Sequence, residues 1–197
     1  RFPISPGVPE IEALLEEYEL VTRPLRQHSG DDETAAIGAL GEAIGRCDVY
    51  AEIPVMLAKA LVDGLSLEGA GEALSIGAAG LFLRSLTGNP MDVHLHTSVN
   101  LRRYLLQLDG LSRRNKLMAL LLWHTGPEVR STQRRMQPAP QPAPEAVAAL
   151  PYRTQEDLLD ALAESIYQQP PIDWSTVTNL GQVRAAPKVR ETVHLAQ

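Results

Sequence analysis

The stretch 89–108, NPMDVHLHTSVNLRRYLLQL, decides the fold class, because it carries the signals of one capped α-helix. Asn89 can cap the helix, and Pro90 suits its first position, where the missing backbone N–H is not needed. Gly110 follows the last turn and favours its end. Two of the protein's five histidines lie in this stretch. The sequence therefore predicts a helix that carries polar groups on an apolar background.

Similar signals on both sides predict further helices. Apolar residues recur at three- and four-residue steps in the segments 9–22, 34–63, 66–86 and 111–126. Pro54 should kink or split the second of them. Hydrophobic residues make up 44% of the chain and aromatic residues only 5%, which favours closely packed helices over sheets. We therefore expect an all-α fold, a bundle of five to six helices.

The later part of the chain predicts a division into three parts. Residues 1–136 form the helical core domain, and residues 137–152 are a Pro/Ala-rich linker that tends toward extended polyproline structure. Residues 153–197 hold a C-terminal helix and an extended tail that packs on the core or on a partner. Thr154 and Asp157 are spaced as a capping box for that helix.

Charge and cysteine content exclude several classes of protein. The net charge of −6 argues against nucleic acid and against a membrane surface as partners. No apolar run approaches the roughly 18 residues of a membrane span, and the first residues lack the order of a signal peptide. The single Cys47 excludes an internal disulfide and predicts a buried structural thiol in a cytoplasmic protein. The start without Met suggests a trimmed chain or a piece of a longer one.

A stripe of small residues marks the helix predicted in segment 66–86. Ala70, Ala73, Gly77 and Gly80 recur at three- or four-residue steps. Glycine costs a helix about 1 kcal/mol relative to alanine, so the stripe indicates that another helix comes unusually close. Room for a ligand above the glycines is the alternative interpretation.

The histidine helix has two predicted faces. Advancing 100° per residue places His94 on the apolar side, beside Thr97 and Tyr104 and in line with three leucines, Leu101, Leu105 and Leu108. His96 falls on the opposite side with Arg103 and Gln107. The two imidazoles therefore point apart and cannot share one metal on a helix.

His94, Thr97 and Asn100 follow one another at three-residue steps, so they form a slanting polar row. Polar groups beside leucines cost about 1 to 3 kcal/mol each unless they find hydrogen bonds. These three residues are therefore either a structural hydrogen-bond row or the catalytic residues of a pocket, with His94 as ligand or general base.

The row H-x-x-T-x-x-N resembles a motif of the helical domain that stands N-terminal in some bacterial Rieske ferredoxin fusion proteins. There the helix reads roughly H-H-T-F-T-Y-A-N-A, and the resemblance covers residues 64–108. It implies a redox-associated helical domain with a histidine-lined pocket. This chain has Ser98 and Val99 where that motif has aromatic residues, and one cysteine cannot hold a Rieske cluster. The resemblance therefore extends only to His94, Thr97 and Asn100.

The second candidate pair is Trp123 and His124, at the end of the segment 111–126. If this helix packs antiparallel to the histidine helix, both residues lie near the level of His94 and could bind a cofactor. His94 and His124 would then be metal ligands, completed by one of three further side chains, Asp48, Glu52 or His28, as in two-His, one-carboxylate sites for iron or zinc. Iron or haem is the cofactor this predicts. The plain alternative is that His124 offsets the helix dipole.

Two functions follow from these interpretations. The first is a redox-associated helical enzyme or enzyme subunit, an oxidoreductase whose histidine-lined pocket binds a metal, haem or small organic substrate. The second is a non-catalytic helical scaffold or interaction subunit that holds a partner protein with its Pro-rich tail. A homo-oligomer is compatible with either function. Neither a serine elbow nor a phosphate loop nor a zincin motif occurs in the sequence.

Overall fold

The protein is described here from a computed structural model, which covers residues 7–24, 29–85, 91–134, 136–141 and 154–167 and isolated positions between 143 and 151. Its regular elements are helical throughout these residues, so the predicted all-α fold is confirmed. In chain order they are α1 (Gly7–Glu17), α2 (Asp31–Gly45), a 3₁₀ turn (Tyr50–Glu52), α3 (Ile53–Asp63), α4 (Leu67–Arg84), α5 (Val93–Gln107), α6 (Arg113–Leu121), a second 3₁₀ turn (Leu122–Thr125), α7 (Pro127–Gln133) and α8 (Gln155–Tyr167). None of the described helices is both long enough and apolar enough to cross a lipid bilayer.

The ends of α3 and α4 follow their local sequence signals. Gly64 ends α3 with a positive φ of 122°, a conformation that side chains disfavour. Ser66 caps α4, since its Oγ accepts a hydrogen bond of 2.9 Å from the backbone N–H of Gly69. The predicted segment 34–63 is split rather than kinked, because α2 already ends at Gly45, and Pro54 stands in the first turn of α3, where proline is tolerated.

Two other helix boundaries differ from the prediction. The predicted cap at Asn89 and Pro90 lies outside the described residues, and α5 begins only at Val93. The segment 111–126 ends its α-helix at Leu121 and continues as the second 3₁₀ turn. Pro127 then opens α7, which was not predicted, because a proline that ends one helix can also start the next.

Close packing of α2 against α4 forms the centre of the domain. A Cβ atom placed on Gly80 would lie 2.8 Å from the Cα of Gly45, and one placed on Gly77 would lie 2.3 Å from Cγ2 of Ile44. Real Cβ atoms do not approach other atoms so closely. The prediction that the small-residue stripe admits a neighbouring helix is therefore confirmed, and that helix is α2.

The guanidinium of Arg84, at the C-terminal end of α4, forms hydrogen bonds with the C-terminal end of α2. Arg84 is 5% exposed, and its Nη1 donates hydrogen bonds of 3.0 and 3.3 Å to the carbonyls of Gly45 and Cys47. Its Nη2 forms an ion pair with Asp48, and its Nε donates to the carbonyl of Gln137. A cation thus satisfies carbonyls that the end of α2 leaves without helical partners.

The beginning of the predicted linker is attached to the core. Ser85 and Met136 form an antiparallel bridge, and the backbone N–H groups of Gln137 and Gln141 donate to the carbonyls of Arg84 and Leu83 at 2.7 and 2.9 Å. Residues 136–141 therefore run along the last turn of α4.

Further along, α8 begins with the predicted capping box. The backbone N–H of Thr154 donates to the carboxylate of Asp157, and the backbone N–H of Asp157 donates to Oγ1 of Thr154, both at 3.1 Å. The predicted tail beyond α8, residues 168–197, lies outside the described residues.

Candidate functional site

The buried face of α5 is not the face that the sequence predicted. Leu95, Val99 and Leu106 are at most 2% exposed, whereas Leu101 is 58% exposed and Tyr104 60%. The predicted apolar side of the helix therefore faces outward for much of its length, and that prediction is wrong.

Arg102 explains why the pattern was misleading. The positions 95, 99, 102 and 106 are spaced as one helix face, but the third of them is an arginine. Arg102 is accommodated there because its Nη1 donates to the carbonyl of Ser98 at 2.9 Å and its Nη2 to that of Leu122 at 3.4 Å. Burial lowers the pKa of this guanidinium below its usual value.

The predicted catalytic row does not form a buried hydrogen-bonded set. Thr97 and Asn100 are exposed, and His94 is half-buried. His94 is not among the residues that line either of the two grooves described below. The roles proposed for these three side chains therefore stay predictions from the motif.

The first groove, which we call the α2–α4 groove, has a volume of about 690 Å³. Its floor is made by glycine backbone of both helices, and the apolar side chains of Ile76, Ala79, Leu83 and Pro140 contribute to its walls. Gly38 also lines it, and a Cβ atom there would meet nothing within 4 Å. The stripe of α4 serves close packing, and the open space lies beside it at Gly38 of α2.

His96 of α5 supplies the imidazole of this groove. Its ring contacts Phe82 with a centroid distance of 4.9 Å, and its buried Nε2 finds no hydrogen-bond partner in the described parts of the chain. Burial lowers the pKa of His96, and the nearby carboxylate of Asp92 only partly opposes this effect. His96 is therefore neutral at pH 7. The sequence had placed it on the opposite face from the leucines.

The charged side chains of the α2–α4 groove are paired. Glu42 and Arg46 form an ion pair one helical turn apart, and Arg84 pairs with Asp48. The groove therefore offers little uncompensated charge to a bound molecule.

The second groove, which we call the α7 groove, has a volume of about 790 Å³ and a different character. Arg130, Arg134 and His124 line it, and no Asp or Glu is among its described lining residues. Two contacts hold α7 against the first 3₁₀ turn. The backbone N–H of Tyr50 donates to the side-chain carbonyl of Gln133 at 3.0 Å, and the hydroxyl groups of Tyr50 and Thr132 lie 2.8 Å apart.

Trp123 and His124, the predicted cofactor-binding pair, have separate environments. Trp123 is 1% exposed and packs against the ring of Tyr50, with centroids 5.6 Å apart, so it belongs to the core. The pKa of His124 is lowered mainly by burial. The Leu121 carbonyl partly opposes this, the positive charges of Arg130 and Arg102 add to it, and the carboxylate of Glu10 opposes it to the smallest extent. His124 is therefore neutral at pH 7.

No metal site is apparent among the residues that the structure describes, because no three His, Cys, Asp or Glu side chains come together there. Asp48, one candidate third ligand, pairs with Arg84 instead, and Glu52 is exposed. His28 lies outside the described residues. Cys47 is 9% exposed and donates to the carbonyl of Val49 at 3.1 Å, and burial raises its pKa. The predicted buried thiol is thereby confirmed.

Comparisons of this chain with protein-family models, with curated proteins and with solved structures find no match. The geometry of the two grooves is therefore the basis for inferring a function.

Proposed function

We propose that this helical domain binds a small, uncharged and largely apolar organic molecule in the α2–α4 groove, as the substrate-binding part of a redox-associated enzyme. The observation that carries the proposal is the half-buried imidazole of His96 beside open space over glycine backbone. The redox context rests on the resemblance of the histidine helix to the Rieske fusion domain. A cytoplasmic location rests on the single cysteine.

The composition of the groove walls supports an uncharged ligand. Most of the lining is apolar side chain or glycine backbone, as is usual for sites that bind small organic molecules. Each charged side chain at the edge already has a partner of opposite sign. A charged ligand would lose its hydration there without gaining an unpaired counter-charge.

His96 gives the groove one polar group with unused hydrogen-bonding capacity. A buried nitrogen without a partner costs about 1 to 3 kcal/mol, and a ligand that supplies the missing donor or acceptor recovers this. The χ2 torsion of histidine is soft, so the ring can turn this nitrogen toward the groove. Since the imidazole is neutral at pH 7, it is suited to hydrogen bonding or to accepting a proton.

Titration with N-phenyl-1-naphthylamine, an uncharged fluorescent probe, tests this proposal. We expect saturable binding to the wild-type chain with a rise in emission, because the probe leaves water for an apolar groove. Gly38→Leu should weaken binding at least tenfold, since the new side chain enters open space in the groove. Gly38→Ala is the matched control and should bind as the wild type does.

Identical titration curves for all three proteins would contradict the proposal, because the probe would then be binding elsewhere. His96→Phe should lower affinity for hydroxylated analogues of the probe more than for the probe itself. Elemental analysis and an absorption spectrum of the purified protein test the iron or haem expectation separately.

The second candidate, a non-catalytic interaction subunit, is favoured by the outward face of α5. Val93, Leu101 and Tyr104 are 48%, 58% and 60% exposed and lie on one side of this helix. If this face holds a partner protein or a second copy, Leu101→Asp should reduce the mass of the assembly measured by light scattering. An unchanged mass, with an unchanged helical spectrum, would argue against this face as an interface.

A further inference from the structure

We propose that the α7 groove is a second binding site, for a small organic anion whose carboxylate or phosphate group lies between Arg130 and Arg134. The apolar part of the anion would contact Val49 and Met91. This site is separate from the α2–α4 groove. It takes a negatively charged ligand, whereas the α2–α4 groove takes an uncharged one.

Charge is the first argument for an anion. The chain as a whole carries a net charge of −6, yet the described lining of the α7 groove holds two arginines and no carboxylate. The ion pairs found in the described residues involve neither Arg130 nor Arg134. In the α2–α4 groove, by contrast, the arginines are neutralised by acidic neighbours. The positive charge of the α7 groove is therefore available to a ligand.

Spacing is the second argument. Arg130 and Arg134 are four residues apart at the end of α7, so their side chains lie on the same side of the helix, one turn apart. Guanidinium groups match the two oxygens of a carboxylate or phosphate, and two of them can hold one anion. Both arginines also offset the dipole at the C-terminus of α7. That role alone does not require them to share a groove.

The groove is also held in shape before any ligand binds. Tyr50 connects its two sides through its backbone N–H to Gln133 and its hydroxyl to Thr132, and Trp123 packs behind its ring. A preformed site loses less conformational entropy on binding.

The remaining wall suits the apolar part of such a ligand. Val49 is 43% exposed although it is a large aliphatic side chain, and Met91, which also lines the groove, is half-buried. Methionine adapts to ligands of varied shape. An anion with an aromatic or aliphatic body would cover both side chains, which an inorganic ion cannot do.

Calorimetric titration of the full chain with benzoate, phenyl phosphate and inorganic phosphate at low salt tests the inference. We expect one organic anion to bind each chain, with an affinity that falls as salt is added. The double variant Arg130→Gln, Arg134→Gln should bind it at least tenfold more weakly. Arg46→Gln, which alters the α2–α4 groove, should leave the affinity unchanged. A preference for benzoate or for phenyl phosphate identifies the anionic group.

Four outcomes would overturn the inference or a part of it. One is the absence of binding by all three anions, and another is equal affinity of the wild type and the double variant. The third is that Arg46→Gln weakens binding as much as the double variant does, which would place the anion in the other groove. Inorganic phosphate binding as tightly as phenyl phosphate would refute the contact with Val49 and Met91. Circular dichroism of each variant confirms that it is folded.

Discussion

Replacing Arg84 with Met is expected to lower the free energy of unfolding by about 2 to 6 kcal/mol, because two buried carbonyls lose their donors at about 1 to 3 kcal/mol each. These are the carbonyls of Gly45 and Cys47, which accept from Nη1 of Arg84. Methionine keeps much of the apolar stem of the side chain and removes only the guanidinium. Urea unfolding followed by circular dichroism measures the effect.

The control for this variant is Asp48→Asn. The side chain of Asp48 is 79% exposed, so its ion pair with Arg84 is screened by water. Exposed pairs contribute about 0 to 1 kcal/mol, and we expect Asp48→Asn to fall in that range. If the two substitutions destabilise the protein equally, the ion pair and not the binding of the helix-end carbonyls is the source of the stability.

Gly80→Ala is expected to destabilise the domain by about 1 to 3 kcal/mol, the usual cost of overpacking a core. The new Cβ atom would lie 2.8 Å from the Cα of Gly45, and a backbone atom cannot rotate away. The helices α2 and α4 must therefore separate, and the buried side chains between them lose contact. Thermal unfolding of the variant and of the wild type measures the difference.

Gly38→Ala is the matched control, since it makes the same chemical change inside a helix without a steric conflict. Alanine favours a helix over glycine by about 1 kcal/mol, so this variant should be more stable than the wild type. Opposite signs for the two substitutions would show that contact with α2 determines the effect at position 80. Stabilisation by both would contradict the close approach of the helices.

Local signals in the sequence were sufficient for the fold class and for several helix ends. Gly64 and Ser66 could be assigned because their roles depend only on neighbours within a few residues. The stripe ending at Gly77 and Gly80 could also be interpreted, because glycine inside a helix has a known cost that only close packing or special function offsets. The sequence did not show which helix approaches it.

The face of α5 could not be predicted, because an arginine occupies a position on its buried side. Arg102 is tolerated there by the carbonyls of Ser98 and Leu122, and Leu122 is 20 residues away in the sequence. The role of Arg84 was hidden for the same reason, since its partners lie more than 35 residues away. Burial of a charge depends on tertiary partners, which single-sequence patterns do not contain.

The prediction of the candidate site depended on which face of α5 is buried. In the observed orientation of α5, His96 lines the α2–α4 groove and His94 does not. The basic residues of the middle of the chain were visible in the sequence, but their grouping was not. Arg130 lies in a helix that the sequence did not predict, and Arg134 follows the last residue of that helix. Their common groove depends on the contact of this helix with Tyr50.

The attachment of residues 136–141 to the last turn of α4 has a consequence for regulation. Pro140 is part of the wall of the α2–α4 groove, and the same short segment leads out of the core toward α8. These backbone hydrogen bonds connect the segment to the helix α4, whose residues line the groove. If a downstream binding event changed these hydrogen bonds and thereby the affinity of the groove, a molecule held in the groove would change the affinity of that event by the same factor.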